Sequence, residues 1–388
     1  KTRLVAAICS IEACTLPLEE KLLQLDPRAL SKILITGVLR EENVDVYIFP
    51  PIPNLVFTRD IGIMIKDHIL LSKPAKLARR RESVLAKYIF YFNLFKGKEE
   101  YVIEITEDDD FFLEDSENQK LRAVTIEGGD IMMISSNHLI VGCSERTSPS
   151  AVDKIIHQIF EISSLEIEYI TVVKIKEDRA QMHIDTIFTQ VSKSAWVMHP
   201  KFSERLRLVK DRERKDYSDL LRIGVDRTNH SELEILQFFK HKNATYDSSK
   251  NYLYEESAKL NGLEDLLISI SVRDFGVKES EVKIIYSGDN QFPYSEREQW
   301  TDSCNLLAIK DGVVVGYDRN ERTALSFKEK LGYHIVSSSD LIARFDAGEI
   351  KPSQVTNTLI LLPSTELSRA RGGSHCMSMP LLRDRVKV

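Results

Sequence analysis

The sequence predicts an α/β fold built from one supersecondary unit used five times, with its polar motifs turned toward a common axis. Three observations predict it. A polar or acidic motif, two short apolar runs with a turn between them, and in most copies a following helix recur five times along the 388 residues. The apolar runs are four to six residues long and are broken by turn pairs such as Lys66-Asp67, Ser136-Asn137 and Asp311-Gly312, the pattern of strand pairs. The opening motifs together hold Asp60, Glu127, His183, Asp185 and Cys376, most of the catalytic residue types in the chain. If each motif sits at the same end of its strand, all five meet.

The elements follow in order. Residues 16–42 carry Leu and Ile at helical spacing, interrupted at Pro27, and Asp26-Pro27 reads as a cap with a first-turn proline. Two short helices are expected. The first unit opens at Asn54-Leu-Val-Phe-Thr-Arg-Asp60 and leads to a helix near 75–95. The second opens at Ile126-Glu-Gly-Gly-Asp130 and leads to a helix from Ser150. The third opens at Met182-His-Ile-Asp-Thr186. The fourth opens at Thr301-Asp-Ser-Cys-Asn305 and leads to a helix from about Thr323. The fifth opens at Gly372-Gly-Ser-His-Cys376 and continues as Met377-Ser-Met-Pro-Leu-Leu382. Between the third and fourth units, 201–290 reads as a long polar, helix-rich span, with Lys210–Asp216 as a solvated charge run. Glu107–Asp110 reads as an exposed acidic loop, lacking the glycine and ligand spacing of a calcium loop.

Composition sets the class. A hydrophobic content of 43% with 29% charged residues is that of a globular chain able to bury a large core as one domain or two. A net charge of -6 argues against nucleic acid as the main partner. No apolar run reaches the roughly 18 residues that span a bilayer, and Lys1–Ser10 lack a signal-peptide layout. No membrane partner and a cytoplasmic location are therefore expected. The five cysteines are odd in number and include no C-x-x-C pair, which excludes a disulfide framework and a zinc site. Cys9, Cys14, Cys143 and Cys304 read as small buried hydrophobes.

Cys376 stands apart. Gly372 and Gly373 let the backbone approach a ligand, and Arg371 and His375 lie nearby, a setting for a reactive thiol. A cysteine nucleophile needs a proton-transfer partner. His183 and Asp185 form an H-x-D pair whose side chains share one face if the segment is a strand. His375 is expected to point away from Cys376 on an extended backbone, leaving His183 as the base. Asp60, Glu127 and Asp185 beside a thiol would raise its pKa and suppress the thiolate. The arrangement makes sense for a cationic substrate. A planar guanidinium pairs with carboxylates through two hydrogen bonds, offsets their charge and leaves its central carbon open to the sulfur.

The chain resembles the arginine deiminases, within the guanidino-group-modifying, amidinotransferase-like enzymes. The resemblance runs from about Leu4 to Arg383. It rests on Pro53-Asn-Leu-Val-Phe-Thr-Arg-Asp60, Ala78-Arg-Arg-Arg-Glu82, Ile126-Glu-Gly-Gly-Asp130, Gly142-Cys-Ser-Glu-Arg-Thr147, Met182-His-Ile-Asp-Thr186 and Arg371-Gly-Gly-Ser-His-Cys-Met377, all in one order. It implies a five-fold pseudosymmetric α/β propeller of ββαβ-type modules with a helical insertion. Residues 1–45 would be the remainder of an N-terminal region and helical subdomain, and 46–388 the catalytic propeller, with 201–290 as an extended module.

The resemblance also implies roles. Cys376 would be the nucleophile that carries a covalent amidino intermediate, and His183 the general acid and base. Asp60 and Asp185 would hold the guanidinium, and Glu127 would bind it or orient His183. Asn54, Arg79 and Arg146 would contact the amino-acid carboxylate, Phe57 would pack along the aliphatic part, and Arg371 would lie beside the nucleophile loop. The reaction would be hydrolysis of L-arginine to L-citrulline and ammonia, with no cofactor and no metal. An amidinotransferase, a dimethylarginine-type or other guanidino hydrolase, and a non-catalytic arginine-binding relative remain alternatives, and homo-oligomerisation stays open. Family members also carry an N-terminal segment, including a strand next to the cysteine motif, ahead of the point where this chain begins. That segment is expected to be missing here.

Overall fold

A computed structural model describes residues 1–41, 44–108, 111–113, 115–176, 181–206, 233–240, 252–255, 260 and 262–382. The chain opens with three helices, α1 (Thr2–Ile11), α2 (Leu16–Gln24) and α3 (Pro27–Thr36). The predicted break at Pro27 is present. The Asp26 carboxylate accepts from the amides of Arg28 and Ala29, capping α3 with Pro27 in its first turn. Helix does not run on to residue 42 as expected. Gly37 takes a left-handed conformation (φ 72°) that ends α3, and a hairpin of β1 (Val38–Glu41) and β2 (Val44–Tyr47) follows. Val5, Ile8, Leu22, Leu30 and Ile33 close a separate core under these helices.

Four modules with the same wiring come next. In each, two antiparallel strands joined by a tight turn lead through a helical crossover to a strand parallel to the second. A parallel return needs such a crossover, and a helix supplies it. The first module is β3 (Gly62–Ile65), β4 (His68–Leu71), α4 (Arg80–Ile89) and β5 (Val102–Ile103). After α5 (Ser116–Arg122), the second is β6 (Ile131–Met133), β7 (His138–Cys143), α6 (Pro149–Glu161) and β8 (Tyr169–Lys174). The third begins with β9 (Phe188–Ser192) and β10 (Ala195–Met198). Before it closes, β11 (Glu234–Lys240) and β12 (Tyr252–Glu255) add antiparallel strands to the sheet of the second module. Then α7 (Leu263–Phe275) leads to β13 (Lys283–Tyr286), parallel to β10. After α8 (Tyr294–Trp300), the fourth module is β14 (Leu307–Lys310), β15 (Val313–Tyr317), α9 (Glu321–Leu331), β16 (His334–Ser337), α10 (Ser338–Asp346) and β17 (Thr358–Leu362). Here β17 lies between β15 and β16, parallel to both.

The cores lie between consecutive modules because strand side chains alternate faces. Leu139 and Val141 of β7 pack against Ile63 and Ile65 of the first module, while Ile140 between them turns toward Trp196 and Met198 of the third. On β10, Ala195 and Val197 face the other way, toward Val314, Phe327 and Leu359 of the fourth. Both faces of each such sheet are buried, which is why the strands read as continuous apolar runs.

Two expectations are corrected. The fifth motif leads into no strand, and residues 371–382 contain neither helix nor sheet beyond the turn that ends at Ala370. A strand needs a ladder partner for its amides; the chain instead turns at 374–377 and continues without regular structure, with Met379 packed against the core beside β3 and β4. Within 201–290 the described residues are sheet as well as helix, through β11, β12 and β13. The charge run Lys210–Asp216 lies outside the described residues, as does the end of the acidic stretch at Asp109 and Asp110. Among the described residues, no helix is long and apolar enough to cross a membrane.

Trp196 is fully buried between the second and third modules, and its indole N–H donates to Ser271 Oγ at 2.8 Å. Trp196→Ala should destabilise the fold by about 3–5 kcal/mol. This would appear as a lower urea midpoint with an unchanged slope. A loss below about 1 kcal/mol would mean the modules are not held through this core.

Candidate active site

The opening motifs do sit at one end of their strands. Thr58–Ile61, Gly128–Asp130 and Ile184–Thr186 each form a short 3₁₀ turn immediately before, or one residue before, the first strand of a module. Five motifs close a ring of contacts. Arg79 of the first module reaches Glu127 of the second at 3.6 Å. Asp130 of the second accepts from the Ile184 amide of the third at 3.1 Å. The Asn305 side chain of the fourth donates to the Asp185 carbonyl at 3.3 Å. The Cys376 amide donates to Asn305 Oδ1 at 3.1 Å, and the Arg59 amide donates to the Cys376 carbonyl at 3.0 Å, which returns to the first motif. Gly129 has a specific reason to be glycine, since a Cβ there would run into the His183 ring.

The centre of the ring is a buried charge cluster. His183 Nε2 lies 3.1 Å from Glu127 Oε2. Arg79 Nη1 donates to Asp60 Oδ2 at 2.8 Å, and its Nε donates to Glu82 Oε2 at 3.0 Å. The Cys376 thiol lies 3.7 Å from Asp185 Oδ2, the same oxygen that His375 Nδ1 meets at 2.9 Å. Asp60, Glu127, His183, Asp185 and Cys376 are all buried, so environment governs their protonation. Burial pushes the Cys376 thiol well above its ordinary value, and Asp185, Asp60 and Asp302 add to the effect. For His183 burial acts downward, but Asp130, Glu127 and Asp60 outweigh it and lift the imidazolium to about 10. Glu127 is drawn down despite burial, because His183 and Arg79 favour its charged form. Asp185 is likewise held low against burial by its hydrogen bond to His375, while burial raises Asp60.

The predicted residues fall into two groups. Asp60, Glu127, His183, Asp185 and Cys376 are brought together. Arg79 joins them, its guanidinium on the carboxylates, and Arg146 flanks Glu127 with Nη1 3.7 Å from Oε1. Phe57 is buried against Gly372, where a Cβ would strike its ring. Asn54 is tied by its amide to Glu82 Oε1 at 2.9 Å. Arg371 stands over the Trp300 ring, 4.0 Å from its centroid. Two local arguments from the sequence do not hold. His183 and Asp185 lie on a turn ahead of β9, not on a strand, and their side chains take different partners. The backbone around Cys376 is turned, not extended, so the His375 ring reaches the carboxylate beside the thiol.

Buried residues of the site that the sequence reading did not single out include Arg59, Asp130 and Asn305. Arg59 is buried, and its charge interacts with Asp185, Cys376 and Asp60. Asp130 is fully buried, accepts from Ser144 Oγ at 2.6 Å and raises the basicity of His183; burial lifts Asp130 itself to about 6. Asn305 bridges the third and fifth motifs. All three stand inside motifs already singled out, and that position was the available signal. Among the described residues, Asp60, Glu127 and His183 present ligand atoms within 4.8 Å of one another, spacing that a cation could use. The cation lying against Asp60 and Glu127 in this structure is Arg79.

Comparison with known proteins points to one family. A sequence model described as arginine deiminase matches residues 18–383. The arginine deiminase of Borrelia recurrentis is 31% identical over 339 residues, covering 87% of this chain and 63% of that protein. That of Clostridium perfringens is 30% identical over 374 residues, covering 92% and 71%. The chain spans 63–64% of the length of the first relatives it matches. Among solved structures, the substrate-bound N-terminal domain of a cyanobacterial arginine dihydrolase is similar at 17% identity, with a TM-score of 0.43 and coverage of 86% of this chain and 79% of that one. A citrulline complex of an enzyme titled DDAH, from Pseudomonas aeruginosa, is similar at 14% identity and a TM-score of 0.40, covering 93% and 88%.

The His183 shift has a stability consequence. Its folded pKa, about 10, lies above the ordinary 6.5. The imidazolium therefore contributes fully to stability below pH 6.5, and that contribution is lost as pH rises toward 10. The urea midpoint of the parent should exceed that of His183→Gln most at pH 6, with the gap closing toward pH 10. A gap constant over that window would show that the ring titrates alike in the folded and unfolded states, so that its neighbours do not hold it charged.

Proposed function

Because the chain belongs to the arginine deiminase family, we propose that it hydrolyses L-arginine to L-citrulline and ammonia through a covalent amidino intermediate on Cys376. The observation that carries this reading is a buried thiol 3.7 Å from the Asp185 carboxylate, in one centre with Asp60 and the Glu127–His183 pair. Such a centre holds its thiol neutral until a cation arrives. A substrate guanidinium between Asp60 and Asp185 offsets their charge, and Cys376 ionises beside it, its proton passing to solvent because His183 is already protonated. The thiolate attacks the guanidino carbon, forming the C–S bond and a tetrahedral intermediate. His183, charged at neutral pH, donates its proton to the departing amino group, and the C–N bond breaks to release ammonia. The neutral imidazole then takes a proton from water, whose oxygen attacks the same carbon. The C–S bond breaks, the sulfur leaves with its electron pair and takes up the hydroxyl proton, and citrulline forms with the neutral thiol restored. Glu127 stabilises the imidazolium and keeps the ring in place.

The state described has Arg79 on Asp60. Substrate must take that carboxylate over, freeing Arg79 to join Asn54 and Arg146 at the amino-acid carboxylate. Phe57 would lie along the aliphatic chain, and Arg371 beside the nucleophile loop. The four ββαβ modules and the five-motif ring support reading residues 46–388 as a five-fold pseudosymmetric propeller, with the helices of 1–45 as an appendage.

Incubated with L-arginine, the protein should produce citrulline and ammonia in equal amounts, and Cys376→Ser should abolish both. Citrulline formation that survives the substitution would sink the mechanism. A new guanidino product on adding glycine or ornithine would assign an amidinotransferase instead, and arginine binding by calorimetry without turnover would assign a non-catalytic binder.

A further inference from the structure

The fourth opening motif, Thr301–Asn305, has no part in the chemistry above, yet it holds the nucleophile loop. Asn305 is 1% exposed. Its amide nitrogen donates to the Asp185 carbonyl at 3.3 Å, and its amide oxygen accepts from the Cys376 N–H at 3.1 Å. Its backbone carbonyl accepts from the His375 amide at 3.4 Å. Gly373 packs so closely on Asn305 that a Cβ there would strike both its carbonyl and its side-chain oxygen. Nearby, the Gly372 amide donates to Asp302 Oδ2 at 3.0 Å, and Tyr317 donates its hydroxyl to the Gly372 carbonyl at 2.8 Å. The loop has no strand ladder of its own, so these contacts set its place.

We propose that Asn305 is a positioning residue that sets the approach of the Cys376 thiol to the Asp185 carboxylate, by bonding the backbone of both residues through one rigid amide. The donor and acceptor of a planar amide stand at a fixed separation, so moving one partner moves the other. Backbone anchoring suits this task, because it leaves the thiol and the carboxylate oxygens free for substrate. The inference rests on Cys376 being the nucleophile. Asp185, Asp60 and Asp302 are the carboxylates that face the thiol, with His375 and Arg59 as its neighbouring bases.

Two variants test it in the full chain, with Cys376→Ser measured alongside. Asn305→Ala should lower kcat about 10²-fold, as misplacement of a reacting group by about 1 Å does. The arginine Kd, measured by calorimetry in the Cys376→Ser background, should change less than about threefold, within about 0.7 kcal/mol. Asn305→Asp keeps the oxygen that accepts from Cys376 and adds a charge beside it. It should move the pH at which iodoacetamide alkylates Cys376, followed by peptide mass spectrometry, upward from that of the parent. If Asn305→Ala is recovered unfolded, the isosteric Asn305→Asp decides alone. The proposal is overturned if kcat and the alkylation profile match the parent. It is equally overturned if kcat falls only in step with arginine affinity and thermal stability while the alkylation profile stays put. Citrulline formation by Cys376→Ser would instead overturn the reaction assignment, and alkylation, which needs no turnover, would still report on the loop.

Discussion

The Glu127–His183 ion pair stands at the junction of the second and third modules, and the centre is arranged around it. An isolated charge at such a depth would cost several kcal/mol or more to bury, so each ion here comes with partners. Glu127 has Arg79 and Arg146 as well as His183, and Asp130 reinforces the imidazolium from behind. Those partners come from turns in different modules. The modules must therefore meet at their motif ends for the charges to be satisfied, and the apolar cores between their sheets hold them in that register.

The same charges shape reactivity. Burial and three nearby carboxylates push the Cys376 thiol well above its ordinary value, which would defeat a nucleophile acting on a neutral substrate. In the proposed reaction a guanidinium makes them the recognition element and ties ionisation of Cys376 to the arrival of the cation. Arg79 on Asp60 illustrates the match, because the protein's own guanidinium occupies a carboxylate assigned to substrate.

Much of the fold was legible because its signals are local. Short apolar runs, turn pairs and the Asp26-Pro27 cap each act within a few residues, and the four ββαβ modules follow from them. The fifth unit misled for the opposite reason. Its sequence resembles the others, but a strand exists only where a neighbour accepts its hydrogen bonds, and residues 371–382 instead dock through turns. The pairing of β11 with β8 was equally hidden, since no pattern within β11 says which sheet edge it will extend.

At the site, residue types and order along the chain were enough to single out Cys376, Asp60, Glu127, His183 and Asp185, which the structure brings together. They stood out because few side-chain types can do acid, base or nucleophilic chemistry, and here these open successive units. Only the tertiary structure decided the partners: Arg79 on Asp60, His375 on Asp185, Arg59 and Asp130 within the charged cluster, and Asn305 between Asp185 and Cys376. Hydrogen-bond geometry and burial depend on residues as far apart in the chain as Arg59 and Cys376 meeting at a single point. That distance relation is set by how whole modules pack, which no local stretch of sequence contains.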